Sequence, residues 1–153
     1  MNQQRRDALR ISTVMGLALA AGLFKSSDVL ADEWNKGAFD AKSLAEAVKS
    51  LGGTTATISK DVTIVAPDIA ENGAVVPVGV TTTLANVQQI AILVEKNPNI
   101  LSANFMFPAG TEPTVATRVK MGQTSNVHAL VKVDGKWLLA SKEIKVTLGG
   151  CGG

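Results

Sequence analysis

Val127-His128-Ala129-Leu130-Val131-Lys132-Val133-Asp134-Gly135-Lys136-Trp137-Leu138 is the stretch that decides the fold. Val127, Ala129, Val131 and Val133 recur at every second position, the period of a strand with one face in a core. Asp134-Gly135 follows directly, and an Asp-Gly pair between two such runs closes a tight hairpin, because both turn positions need positive φ. Lys136 to Leu148 is then the returning arm. The same pattern extends upstream. Pro113 to Lys120 is turned by Met121-Gly122-Gln123, and Ile100 to Phe107 ends at Pro108-Ala109-Gly110. Ile90, Ile92 and Val94 alternate up to Asn97-Pro98-Asn99; Val76, Val78 and Val80 alternate around Pro77, which marks an edge or a bulge. Thr54 to Val65 is a Thr/Ile/Val-rich run closed by Pro67, and Asp68 to Gly73 is a loop with Asn-Gly turn chemistry. About seven short strands, separated by turn signals and not alternating with helices, predict an all-β antiparallel β-sandwich. One N-terminal helix is expected: Ala41, Leu44, Val48 and Leu51 form an apolar stripe, Gly52-Gly53 stop it, and Phe39 packs at its start.

Residues 1–31 read as an export signal peptide. Arg5, Arg6 and Arg10 precede an apolar run from Ile11 to Phe24, and Val29-Leu30-Ala31 suits cleavage before Asp32. The run is shorter than the ~20 residues a membrane-spanning helix needs, so a removable segment is expected rather than an anchor. Arg5-Arg6 points to the twin-arginine route, although Asp7-Ala8-Leu9 departs from the bulky apolar pair often found there. Without this segment the basic residues number 15 − 4 = 11 and the acidic ones 13 − 2 = 11, a net charge of zero. A neutral domain with 4% aromatic residues and no Tyr lacks the electrostatic and stacking features of a nucleic-acid binder. The expected organisation is a signal over 1–31, a sandwich over 32–148 and an arm over 149–153.

Chemistry-bearing residues are few. A single His and a single Cys cannot build a soft-ligand metal site, and no cofactor is expected. His128 sits on the strand face opposite the valines and reads as an ordinary strand histidine. Asp68 and Glu71 are turn carboxylates, and Met106 reads as core or interface packing. No Gly-rich strand–helix junction is present to cradle a phosphate. What remains is Leu148-Gly149-Gly150-Cys151-Gly152-Gly153. Leu148 anchors the arm's base if Ile144, Val146 and Leu148 face the core. Gly149, Gly150, Gly152 and Gly153 keep the tail narrow and leave the thiol accessible, and accessibility with thiolate character governs cysteine reactivity. An exported chain normally pairs or avoids free thiols, so an unpaired Cys151 reads as the working group rather than an incidental residue of a frayed terminus; an intermolecular disulfide through it is compatible with that role.

The terminal Gly149-Gly150-Cys151-Gly152-Gly153 resembles the carrier motif of the SoxY family, as does the preceding Ser141 to Thr147. Ala66-Pro67-Asp68-Ile69-Ala70-Glu71-Asn72-Gly73-Ala74-Val75-Val76-Pro77-Val78 and Phe107-Pro108-Ala109-Gly110-Thr111-Glu112-Pro113 are similar too. The resemblance implies a periplasmic carrier rather than an enzyme, with an immunoglobulin-like sandwich that pairs with a second subunit, SoxZ. Cys151 would be the covalent attachment site for sulfur, with Gly149, Gly150, Gly152 and Gly153 as its flexible arm. A haem protein, SoxAX, would join thiosulfate to the thiol, SoxB would release sulfate, and a sulfane dehydrogenase would oxidise the sulfur left behind. Exposed apolar strand faces, Leu130 among them, are candidates for the partner interface. The nearby C-terminal carboxylate disfavours the thiolate, so activation is expected from the partner's cleft. Two other readings stay open on the residues alone: a thiocarboxylate carrier using Gly152-Gly153, and an adhesive sandwich whose Cys151 links two copies.

Overall fold

The computed structural model describes residues 35–147. Helices α1 (Lys36–Phe39) and α2 (Leu44–Ser50) are followed by nine strands: β1 (Ala56–Ile58), β2 (Val62–Val65), β3 (Ile69–Ala70), β4 (Val76–Thr82), β5 (Val87–Val94), β6 (Leu101–Met106), β7 (Thr114–Val119), β8 (Ser125–Val133) and β9 (Lys136–Val146). One sheet runs β1-β9-β8-β5-β6, with β3 added on β9; the other runs β2-β4-β7.

The β8–β9 hairpin forms as expected. Val133 faces Lys136 across the turn, and Asp134 and Gly135 have φ of 48° and 78°. Alternation then divides the side chains between two cores. Val127, Ala129 and Val131 of β8 and Ile90, Ile92 and Val94 of β5 turn toward the second sheet and meet Val76, Val78 and Val80 of β4. The other face of β5 and β8 is also buried. Ala91, Leu93 and Leu130 pack with Ala38, Ala47, Val48 and Leu51 of the helical segment and with Trp137. The molecule is thus a sandwich with a helical layer over one sheet.

This layer corrects the reading of Leu130 as an exposed interface residue: it is 0% exposed. Helix α2 is also shorter than the stripe suggests. Ser43 caps it by accepting from the Glu46 N–H, so Ala41 lies before the helix although it is buried. Gly52 then takes a φ of 81° just beyond its end. Lys42 fastens the segment to the β5–β6 turn through the Pro98 carbonyl (2.8 Å) and the Asn99 side chain. Phe39, expected at the start of a single helix, is instead the last residue of the separate helix α1 and packs against this second core.

Two further differences concern the sheets. The run from Thr54 to Val65 is broken at Ser59-Lys60-Asp61, where the Ser59 hydroxyl accepts from the Asp61 N–H (3.1 Å), and the chain passes from one sheet to the other. Strands β1 and β3 both run parallel to β9, at opposite ends of it, whereas the remaining pairs are antiparallel. Pro77 lies in the part of β4 that β2, paired only with Gly79–Thr82, does not reach, so its missing N–H has an open flank there.

Candidate functional site

Cys151, Gly149, Gly150, Gly152, Gly153 and Leu148 lie outside the described residues, as does the export signal. The structure does describe the strand end from which that tail departs. Ile144 is fully buried between the sheets and Val146 packs beside it. Beyond Ser125, β8 no longer offers backbone to β9, and the Thr124 hydroxyl replaces it by accepting from the Val146 N–H at 3.0 Å. On the opposite flank, β3 receives the Lys145 N–H at the Asp68 carbonyl (2.9 Å) and the Thr147 N–H at the Ala70 carbonyl (3.1 Å). The Thr147 hydroxyl reaches the Glu71 carbonyl at 3.5 Å. Three successive N–H groups are therefore taken up to the last described residue, where strand ends ordinarily fray.

The loop that does this is itself braced. Lys142, on β9, donates to the Ala66 carbonyl (2.5 Å) and pairs with Asp68 (3.0 Å). The Gly73 carbonyl accepts from the Met121 N–H at 2.7 Å. A Cβ at Gly73 would meet the Met121 carbonyl oxygen and lie 2.8 Å from Val146 Cγ1, so only glycine lets the loop come this close. Asp68 and Glu71, expected as turn carboxylates, both reach β9 through their backbone carbonyls, the Asp68 carboxylate adding an exposed pair with Lys142. Thr124 and Gly73 escaped it, and the one local signal was the Asn72-Gly73 pair.

His128 has partners the sequence could not show. Its Nδ1 lies 2.7 Å from the Ser141 hydroxyl, across the β8–β9 pair, and its Nε2 lies 3.8 Å from Glu95, which also accepts from Asn126 (2.8 Å). Burial holds its pKa below the ordinary histidine value, and the Glu95 carboxylate only partly offsets that. Serine, histidine and glutamate are thereby brought together, but the glutamate stands 3.8 Å from the ring, beyond hydrogen-bonding distance, and two surface cavities, one beside Phe107–Thr111 and one beside Gly52–Thr55, are lined by none of the three. The cluster thus reads as a polar cross-strand tie. Met106, expected in a core or an interface, is 57% exposed and so is not core. Among the described residues no three His, Cys, Asp or Glu side chains come together to hold a metal, and no helix is long and apolar enough to cross a membrane.

The family model for the sulfur oxidation protein SoxY matches residues 48–151, from helix α2 through both sheets to the cysteine. The chain belongs to the SoxY family. Its fold is similar to that of the sulfur carrier protein SoxY from Chlorobium limicola f thiosulfatophilum, with 35% identity and a TM-score of 0.64 over 71% of this chain and 96% of that one. A superoxide reductase (neelaredoxin) from Ignicoccus hospitalis has a TM-score of 0.51 at 21% identity, over 56% of this chain and 80% of that one, a likeness of fold alone. Among curated proteins none matches this chain. Membership makes the chain a sulfur carrier of the Sox system, in keeping with a SoxY-type all-β sandwich and with a role other than that of an enzyme.

Proposed function

We propose that this SoxY-family protein works in the periplasm and holds thiosulfate-derived sulfur covalently on Cys151 while other Sox proteins act on it. The observation that carries the reading is the family match, which runs to Cys151, four residues beyond the hydrogen-bonded Thr147. In this reading residues 1–31 direct export by the twin-arginine route, 32–148 form the carrier domain, and Gly149, Gly150, Gly152 and Gly153 make the arm. A SoxZ-like subunit forms the heterodimer. At a SoxAX-like haem protein the Cys151 S–H is lost, a sulfur–sulfur bond forms to thiosulfate, two electrons pass to the haem protein and a proton is released. A SoxB-like hydrolase then uses water to release sulfate, leaving one sulfane sulfur on Cys151 for a sulfane dehydrogenase. The carrier contributes presentation, because a tethered group meets each docked enzyme at high effective concentration.

Intact mass spectrometry tests this. The mature protein incubated with thiosulfate and the conjugating enzyme gains a thiosulfate adduct on the C-terminal peptide, and Cys151→Ser abolishes it without altering the unfolding midpoint. Absence of an adduct, or one that persists after iodoacetamide blocking, removes the reading; persistence would favour a thiocarboxylate carrier.

A further inference from the structure

We infer that the segment Asp68–Gly73, together with Thr124, forms a clamp that fixes the pivot of the carrier arm at Thr147. The inference rests on the reading of Cys151 as the carrier group, and Thr124 and Gly73 are its positioning residues. Every N–H from Lys145 to Thr147 is donated, alternately to β3 and its approach and to the Thr124 hydroxyl. One of these acceptors, Ala70, belongs to a strand of only two residues, Ile69–Ala70, which pairs with β9, and a second, Asp68, directly precedes it. So short a strand adds little on its own, and it is held in place by Lys142 at one end and Gly73 against Met121 at the other. The Asp68, Ala70 and Glu71 carbonyls are thus directed to the strand end that precedes the cysteine.

The number of residues between the last held position and Cys151 follows from where this clamp holds. From Thr147, Cys151 is four residues on and can reach at most about 13–14 Å. Were the clamp open, Ile144 would become the last fixed residue, seven positions away, with a limit of about 23–25 Å. Effective concentration at a docked partner falls roughly as the −3/2 power of tether length, so opening the clamp dilutes the thiol about twofold and lets it miss a cleft placed for the shorter arm.

The mature chain carries its own reporter site, because Cys151 is its only cysteine. A nitroxide on Cys151 and a second on Lys136→Cys, at the other end of β9, give a distance distribution by pulsed electron resonance. Thr124→Val removes the acceptor with little change of shape; Gly73→Ala pushes the loop off Val146. In either variant the far edge of the distribution is expected to extend by up to about 10 Å. Amide exchange at Lys145–Thr147 should rise at least tenfold, with Val131 unchanged. Loading of Cys151 by the thiosulfate-conjugating enzyme should slow about twofold in kcat/KM, with alkylation by iodoacetamide unchanged. Should Gly73→Ala fail to fold, Thr124→Val alone decides. Unchanged distances and exchange overturn the clamp, as does faster exchange throughout β8. Altered distances with unchanged enzymatic loading overturn its positioning role. If wild-type protein accepts no sulfur, the carrier reading fails instead, while distances and exchange still report on the clamp.

Discussion

Substituting Gly53 tests the docking of the helical layer on the sheet. A Cβ there would collide with Trp137 Cδ1, lie 2.6 Å from Trp137 Nε1 and lie 2.8 Å from Val48 Cγ1. Trp137 and Val48 are both 3% exposed, so neither side chain can swing into solvent, and Trp137 Nε1 is buried with no acceptor among the described residues. Overpacking a site of this kind costs about 1–3 kcal/mol. For a domain of this size that is roughly 4–12 °C in Tm. Gly52→Ala is the control: nothing lies within 4 Å of a Cβ there, but its φ of 81° imposes a backbone cost, roughly 1–2 kcal/mol, that does not depend on the indole. Chemical unfolding followed by far-ultraviolet circular dichroism, on Gly53→Ala, Trp137→Leu and the double variant, isolates the contact. The double variant should be more stable than additivity predicts by at least about 0.5 kcal/mol, and no such coupling should join Gly52→Ala to Trp137→Leu. A wild-type midpoint for Gly53→Ala, or an additive cycle, refutes this packing.

Leu130→Ala should lower unfolding free energy by about 2–5 kcal/mol, measured in urea, since the residue is enclosed by the helical layer; a surface-sized effect would mean that layer is not docked. Folded His128 has a depressed pKa, so below the ordinary value of 6.5 the unfolded chain binds the extra proton and stability declines as pH falls toward the folded pKa. Above that window the histidine contributes no pH dependence. His128→Gln should flatten the decline, and Glu95→Gln, by removing the group that raises the pKa, should carry it to lower pH; denaturant midpoints between pH 4 and 8 read both. Lys142→Met should cost about 1 kcal/mol through the lost bond to the Ala66 carbonyl, and high salt should not erase the difference, because the ion pair to exposed Asp68 contributes little.

Features set by neighbouring residues were legible in the sequence. Asp134-Gly135 specifies its hairpin because two adjacent residues must adopt positive φ, and Gly52 marks the helix end for the same reason. Ile90, Ile92 and Val94 announce a strand by period alone. At the proposed attachment site, Cys151 stood out because glycines flank it and the sequence holds no second cysteine to pair with it.

What the sequence did not disclose depends on which distant strand becomes a neighbour. Leu130 alternates with valines exactly as a solvent-facing residue would, and only the helical layer above it makes that face a second core. Ser59-Lys60-Asp61 is a polar interruption whose consequence, a change of sheet, follows from the pairing of β1 with β9 and of β2 with β4. His128 gains Ser141 and Glu95 through register across β8, β9 and the end of β5. The period of the side chains and the chemistry of the tail are properties of the chain itself, fixed by backbone sterics and residue type. Tertiary pairing alone decided that Asp68–Gly73 would lie beside the end of β9 and supply carbonyls to it, because a backbone hydrogen-bonding group takes its partner from whatever strand the rest of the fold brings alongside.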